Sequence, residues 1–120
     1  MKLLNRDEIL GADDLKSEKV EVPEWCGFVY IRTMTGEERD AFETDFYGAT
    51  AEDETAKTRR NFRAKLVCRC AVDESGGRIF TDADAEVLGR KAAPALDRLW
   101  PVAQRLNALT QKDEDELVKN

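Results

Sequence analysis

Apolar and polar residues alternate along one stretch in the first third of the chain. Val20 and Val22 alternate with charged residues up to Pro23, and residues 27–33 form a second run rich in β-branched and aromatic side chains. Alternation of this kind is typical of half-buried strands. The pattern predicts a β-hairpin over residues 19–33. Because two strands alone are marginally stable in water, one face of the hairpin must pack on helices or on a strand of another copy.

Helical spacing begins directly after the hairpin. Thr35 and Glu38 have the capping-box pattern, in which the hydroxyl accepts from a helical amide and the carboxylate accepts from the amide of the cap residue. Phe42 and Phe46 follow four residues apart, on one face of a helix that we place at residues 36–47. Further helical patterns cover residues 5–11, 54–72, 82–91 and 94–107, with a weak C-terminal helix at 111–118.

These patterns together predict a single domain, residues 1–120, of the α+β class. It is mostly α, with an N-terminal β-hairpin packed against about five helices. A chain of 120 residues with 42% hydrophobic residues has material for one modest core. Pro101 lies inside the 94–107 pattern, where it removes one helical hydrogen bond and predicts a kink near Trp100.

The charge of the chain narrows the classes of partner. Its net charge is −6, whereas a general nucleic-acid-binding protein carries a basic face and a basic isoelectric point. We therefore expect no nucleic-acid partner. One local basic run contains Arg59, Arg60, Arg63, Lys65 and Arg69. We interpret it as a solvated helix face, with a patch for phosphate or an acidic partner as the alternative.

Candidate catalytic and metal-binding groups are sparse. Histidine is absent, so the commonest general base and metal ligand is missing. Cys68 and Cys70 have a spacing that directs two side chains to different faces of a helix. Asp82 and Asp84 suit a helix cap better than a calcium loop. We predict no enzyme activity, no cofactor and no metal site, with a small hydrolase or metal-dependent enzyme as the minority alternative.

The compartment is predicted from cysteine usage and from the absence of targeting signals. Three cysteines do not form a paired disulfide framework, and the first residues contain only two consecutive apolar side chains. The longest uncharged stretch near Trp25 is too short to span a bilayer. These features predict a cytosolic protein with reduced thiols and no membrane partner.

Large aromatic side chains are the strongest candidates for binding a partner. Trp25 lies at the predicted tip of the hairpin, between Glu24 and Cys26. Its ring either folds back over the core or anchors a partner, since Trp and Tyr dominate the hot spots of interfaces. The candidate partner-binding residues are Trp25, Tyr30, Ile31, Phe42 and Phe46.

The order of these segments resembles the tail assembly chaperones of long-tailed, siphovirus-type bacteriophages and prophages. The resemblance covers nearly the whole chain. It is carried by "LLNRDEILGADDLKSEKVEVPEW", by "TGEERDAFE", by "NFRAKLV" with the D, G and F positions that follow it, and by the closing "RLNALTQKDEDELVKN". The sequence departs from the family pattern at Cys26, where a small residue such as glycine is common, and at Pro101.

The resemblance implies a non-enzymatic protein that binds the tape measure protein and keeps it soluble while tail tube subunits polymerise around it. It also implies a location in the cytoplasm of the bacterial host, absence from the mature virion, and a frameshift-extended form that contacts the tail tube protein. An unpaired hairpin edge would in addition allow homo-oligomers. A structural virion protein of the tail or head–tail connector is the alternative function.

Overall fold

A three-stranded antiparallel sheet, in the order β1-β2-β3, organises the chain. The computed structural model describes residues 1–47 and 61–109. The strands are β1 Ser17–Val22, β2 Gly27–Arg32 and β3 Ala71–Val72. The helices are α1 Arg6–Leu10, α2 Gly36–Tyr47, α3 Phe62–Cys70, α4 Ala85–Leu88 and α5 Ala93–Leu106, with 3-10 turns at Pro23–Trp25 and Asp82–Asp84. The predicted fold class is confirmed: α+β, mostly α, with five helices in the described ranges.

The hairpin that the sequence predicts is present. β1 and β2 pair antiparallel along their full lengths. Between them, Pro23–Trp25 form a 3-10 turn, and the N–H of Cys26 donates to the carbonyl of Pro23 at 3.0 Å. Cys26 has a φ of 56°, in the left-handed region that favours glycine. Cys26 therefore occupies a backbone conformation that glycine would adopt without steric cost.

Alternate residues of the hairpin face the helices. Val22 and Ile31 have no exposed surface, and Val20 and Val29 are partly buried against the same core. We call this side of the sheet the inner face. α5 contacts β1 and β2 from this side, and α3 contacts β2. The two-residue period of the strands therefore places the remaining side chains of the hairpin on the opposite, outer face.

The prediction of a helix over residues 54–72 is wrong at its C-terminal end. α3 ends at Cys70, and Ala71–Val72 form β3, which pairs with β2. Both strand residues are buried, so the run of apolar residues continues past the end of the helix. The spacing of apolar residues alone therefore does not mark the change from helix to strand. Asn61 has a φ of 63°, a left-handed conformation that interrupts a continuous helix. The 54–60 part of the prediction lies outside the described residues.

The helix predicted at 82–91 is shorter in the structure. Asp82–Asp84 form a 3-10 turn, and α4 covers only Ala85–Leu88. The chain then passes close to α3: a Cβ at Gly89 would lie 2.0 Å from Oδ1 of Asn61. Gly89 therefore permits a close approach of two segments at the point where the helix ends.

The other predicted helices have the following outcomes. α1 and α2 lie within one residue of their predicted bounds. α5 runs through Pro101 as one helix, close to the predicted 94–107. The weak helix predicted at 111–118 lies outside the described residues.

The capping box at the start of α2 is present and is joined by an arginine. Glu38 accepts from the N–H of Thr35 at 2.9 Å, and Thr35 Oγ1 accepts from the N–H of Glu38 at 3.1 Å. Arg32 Nη2 donates to both carboxylate oxygens of Glu38, at 2.9 and 3.0 Å. Burial opposes ionisation of this carboxyl, but the Thr35 amide and the Arg32 guanidinium outweigh it and lower the pKa of Glu38. The cap thus joins β2 to α2.

Asn107 joins the end of α5 to the loop between β2 and α2. Its Oδ1 accepts from the N–H of Met34 at 2.7 Å, and its Nδ2 donates to the carbonyl of Ala103 at 2.8 Å. Nδ2 also lies 3.4 Å from Cys70 Sγ. Arg39 Nη1 donates to the backbone carbonyl of Asn107 at 3.1 Å. Asn107 therefore joins the helical layer to the loop that follows β2.

Candidate partner-binding surface

Aromatic side chains line the outer face of the sheet. Phe28 is 49% exposed, and its ring meets Tyr30 edge-on, with centroids 5.4 Å apart and planes at 83°. Nζ of Lys19, on the neighbouring strand, lies 4.2 Å from the centroid of Phe28, within the range of a cation–π interaction. The ammonium leaves half of the Phe28 side chain in solvent.

A groove of about 580 Å³ runs beside these rings. Val72 pairs with Tyr30 in the β2–β3 register, so both side chains lie on the outer face. Ile79, which is 47% exposed, also lines the groove. We call this surface the outer-face groove and define its apolar part as Phe28, Tyr30, Val72 and Ile79. Val72 is only 4% exposed, so the exposed apolar surface comes from Phe28, Tyr30 and Ile79. Exposed apolar surface with polar neighbours is typical of sites that bind another chain.

A tight turn after β3 supplies the polar side of the groove. Asp73 Oδ1 accepts from the N–H of Ser75 at 2.9 Å, from its Oγ at 2.6 Å, and from the N–H of Gly77 at 3.0 Å. The hydrogen bonds from Ser75 and Gly77 lower the pKa of Asp73 below its ordinary value. Gly76 adopts a φ of +88°, which favours glycine. The turn returns the chain to β3, and Ile79 donates its N–H to the sheet.

Arg78 attaches this turn to the helical layer. Its guanidinium donates to the carbonyl of Cys68 at 2.9 and 3.1 Å and to Asp82 at 2.7 Å. Arg69 binds the other oxygen of Asp82 at 2.8 Å. Two arginines therefore share one carboxylate and hold the segment that carries Ile79 against α3.

The prediction that the basic run forms a solvated helix face is wrong for Arg69, which is 8% exposed. Its charge is compensated by the ion pair with Asp82, the arrangement that a buried arginine requires. Arg63 is exposed, pairs with Asp97 at 3.2 Å, and lies 5.1 Å from the ring of Trp100. Lys65 is half-buried. Arg59 and Arg60 lie outside the described residues.

The five candidate residues from the sequence do not form one surface. Tyr30 lies in the outer-face groove. Trp25 lies in the hairpin turn, where its ring packs against the core and stays partly exposed. Ile31 and Phe42 have no exposed surface and belong to the core. The side chain of Phe46 lies outside the described residues. Of the five, only Tyr30 is placed in the groove by the described part of the chain.

Sequence reasoning missed three residues of the groove: Phe28, Val72 and Ile79. Phe28 carries a usable signal, because it shares the parity of Tyr30 and must lie on the same face of the strand. Val72 and Ile79 carry none, because their positions depend on the pairing of a two-residue strand with β2. The groove is therefore a product of tertiary pairing.

The described residues present few reactive groups. Burial raises the pKa of Cys68 to about 11 and that of Cys70 to about 12, so both thiols stay protonated at neutral pH. Within residues 1–47 and 61–109, no three cysteine or acidic side chains are placed to share a metal ion. No helix in those two ranges combines the length and apolar character needed to cross a bilayer.

Comparison with known proteins supplies the family. A family model described as phage tail assembly chaperone matches residues 11–119. The structure of the bacteriophage HK97 tail assembly chaperone is similar, with a TM-score of 0.57 and 20% sequence identity over 83% of this chain and 94% of that chain. At this identity the likeness shows the fold. A search of curated proteins finds no match. The family match covers most of the chain and confirms the resemblance seen in the sequence: the chain belongs to the phage tail assembly chaperones.

Proposed function

We propose that the chain binds the tape measure protein through the outer-face groove and keeps this client soluble while the tail tube assembles. One observation carries the proposal: a member of a chaperone family presents aromatic and aliphatic side chains on a sheet face that no described helix covers. Burial of apolar surface is the main driving force for association with another chain. A protein that keeps an apolar client in solution needs such a surface together with dense charge elsewhere.

The chemistry of the groove suits an amphipathic helix. Such a client presents apolar side chains at every third or fourth position, and these can pack against Phe28, Tyr30 and Ile79. Lys19 and Asp73 lie beside the apolar part and carry opposite charges. Charges at the edge of an interface contribute orientation and association rate more than affinity. The groove would therefore select an apolar stripe flanked by charged residues of both signs.

The test is co-expression of the chain with the tape measure protein of its own genome. We expect the wild-type chain to increase the soluble fraction of the client and to co-purify with it. The double variant Phe28→Ser with Tyr30→Ser should capture at least ~10-fold less client, which corresponds to about 1.4 kcal/mol of binding free energy. Its far-ultraviolet circular dichroism should be unchanged, because Phe28 is half exposed and Tyr30 lies outside the buried core.

Val87→Ser is the matched control. Val87 is 58% exposed and is not part of the groove, so its replacement removes apolar surface elsewhere and should leave capture unchanged. Wild-type capture by the double variant would overturn the assignment of the groove. Failure of the wild-type chain to bind or solubilise the client would overturn the proposed function itself.

We also propose that the protein acts as a homo-oligomer. In the described part of the sheet, β1 lies at the edge and pairs on one side only, with β2. An edge strand offers unpaired backbone groups to another copy. Lys19→Pro and Glu21→Pro are tested as separate variants. If this edge forms the contact, proline at one of these positions should lower the mass measured by sedimentation. An unchanged mass for both variants would reject the edge as the contact.

Two further parts of the proposal come from family membership. The protein acts in the cytoplasm of the bacterial host, and a frameshift-extended form contacts the tail tube protein. Mass spectrometry of infected cells should detect a longer product that shares its N-terminal peptides. Mass spectrometry of purified particles should detect neither form; recovery of the chain at stoichiometric amounts would instead indicate a structural virion protein.

A further inference from the structure

α1 belongs to an N-terminal arm that buries none of its residues in the described structure. Asn5 caps it by accepting from the N–H of Glu8 at 2.9 Å, yet the helix buries no residue. Its neighbouring side chains Leu4, Ile9 and Leu10 are 52%, 56% and 68% exposed. Isolated helices this short are unstable in water, because the nucleation cost exceeds what one turn returns. The arm, residues 1–10, therefore requires an apolar surface to pack against.

The tether of this arm joins β1 beside the outer-face groove. Leu15 lines the surface there together with Tyr30 and Val72. The six residues 11–16 connect the arm to β1 and can span up to roughly 20 Å when extended. The stretch of β2 from Phe28 to Arg32 extends over roughly 14 Å. The arm can therefore reach every apolar residue of the groove without any change in the sheet.

We propose that the arm, which is exposed in the structure, also folds back and covers the outer-face groove of its own chain in a second, closed form. Leu4, Ile9 and Leu10 would pack against Phe28, Tyr30 and Ile79, and the exposed apolar surface of both segments would fall. A short tether gives an effective concentration in the millimolar range, so even a contact of millimolar affinity would populate the closed form about half of the time. The consequence for clients rests on the function proposed above: a client must displace the arm.

The test measures the arm directly and needs no client. A nitroxide spin label is attached at Arg6→Cys in a Cys26→Ser background, where the remaining thiols, Cys68 and Cys70, are buried. We expect broadening of the amide signals of Phe28 and Ile79 in the full chain. Replacing Leu4 and Ile9 by Asp in the labelled chain should reduce that relaxation enhancement at least about twofold, because charged side chains do not pack in an apolar groove.

The control and the counter-experiment separate the alternatives. Val87→Asp introduces the same charge at a distant exposed site and should leave the broadening unchanged. Broadening that is absent, or that persists in the Leu4→Asp and Ile9→Asp variant, overturns the proposal. A mixed sample tests whether the arm binds a second copy. It contains spin-labelled protein at natural isotope abundance and ¹⁵N-labelled protein without a spin label. Broadening in this sample would place the arm on a neighbouring copy and would also overturn the proposal. None of these results depends on whether the tape measure protein is the client.

Discussion

Replacement of Asn107 by alanine tests whether the junction between α5 and the β2–α2 loop stabilises the fold. The N–H of Met34 would lose its acceptor, and Met34 is only 6% exposed. A buried donor left without a partner costs about 1–3 kcal/mol. The lost donation to Ala103 adds about 0.5–1 kcal/mol. We expect Asn107→Ala to lower the free energy of unfolding by about 2–3 kcal/mol and the Tm by roughly 10 °C.

The assay is urea unfolding followed by the fluorescence of Trp25 and Trp100, at two protein concentrations to separate folding from association. Asn5→Ala is the matched control, since it deletes the same side chain from the cap of α1, a helix that buries no residue. This control should leave the unfolding midpoint unchanged. A loss below about 0.5 kcal/mol for Asn107→Ala, or equal losses for both variants, would refute the reasoning, because solvent would then be satisfying the Met34 amide.

Two further substitutions test local features of the fold. Cys26→Gly should raise the free energy of unfolding by up to about 1 kcal/mol, because glycine adopts a φ of 56° without a steric cost; urea titration measures it, and Cys26→Ala, which keeps the Cβ, should show no gain. Glu38→Gln should cost about 2 kcal/mol at pH 7, since it removes the charge that Arg32 binds with two hydrogen bonds. Because the folded pKa of Glu38 is lowered, the stability that this ionised group supplies is present above its ordinary value of 4.5 and is lost as pH falls through the folded pKa. Thermal melts between pH 6 and 3 should therefore show a shallower loss of Tm in Glu38→Gln than in the wild-type chain, and parallel curves would contradict the pairing.

Elements defined by local chemistry could be predicted from the sequence. The Thr35 and Glu38 pattern predicted the start of α2, and both hydrogen bonds of the capping box are present. The alternation of residues 27–33 likewise predicted β2, because strand pairing needs a period of two. The groups of the capping box lie three residues apart, and the alternation of β2 is a property of its own sequence, so both signals can be read without tertiary information.

The candidate partner-binding surface could be predicted only in part. Tyr30 and Ile31 are adjacent in a strand and therefore point to opposite faces, so they cannot belong to one patch. The sequence gives this parity, but it does not say which parity faces the helices. The packing of α3 and α5 against the inner face decides the matter. β3, which adds Val72 to the outer face, follows a helix whose apolar pattern continues into it. The position of Ile79 in turn depends on the hydrogen bonds that hold the turn after β3.

The separation of the two sheet faces has a consequence for how this chaperone can vary. Stability comes from the inner face, where Val22 and Ile31 are fully buried, and from the junction at Asn107. The outer-face groove contributes Phe28 and Ile79, each about half exposed, so their replacement changes little buried area. Substitutions at these two exposed positions can therefore change the surface of the groove without loss of the fold. Substitutions of the inner face have no such freedom, because each enclosed side chain is fixed by its neighbours in the core.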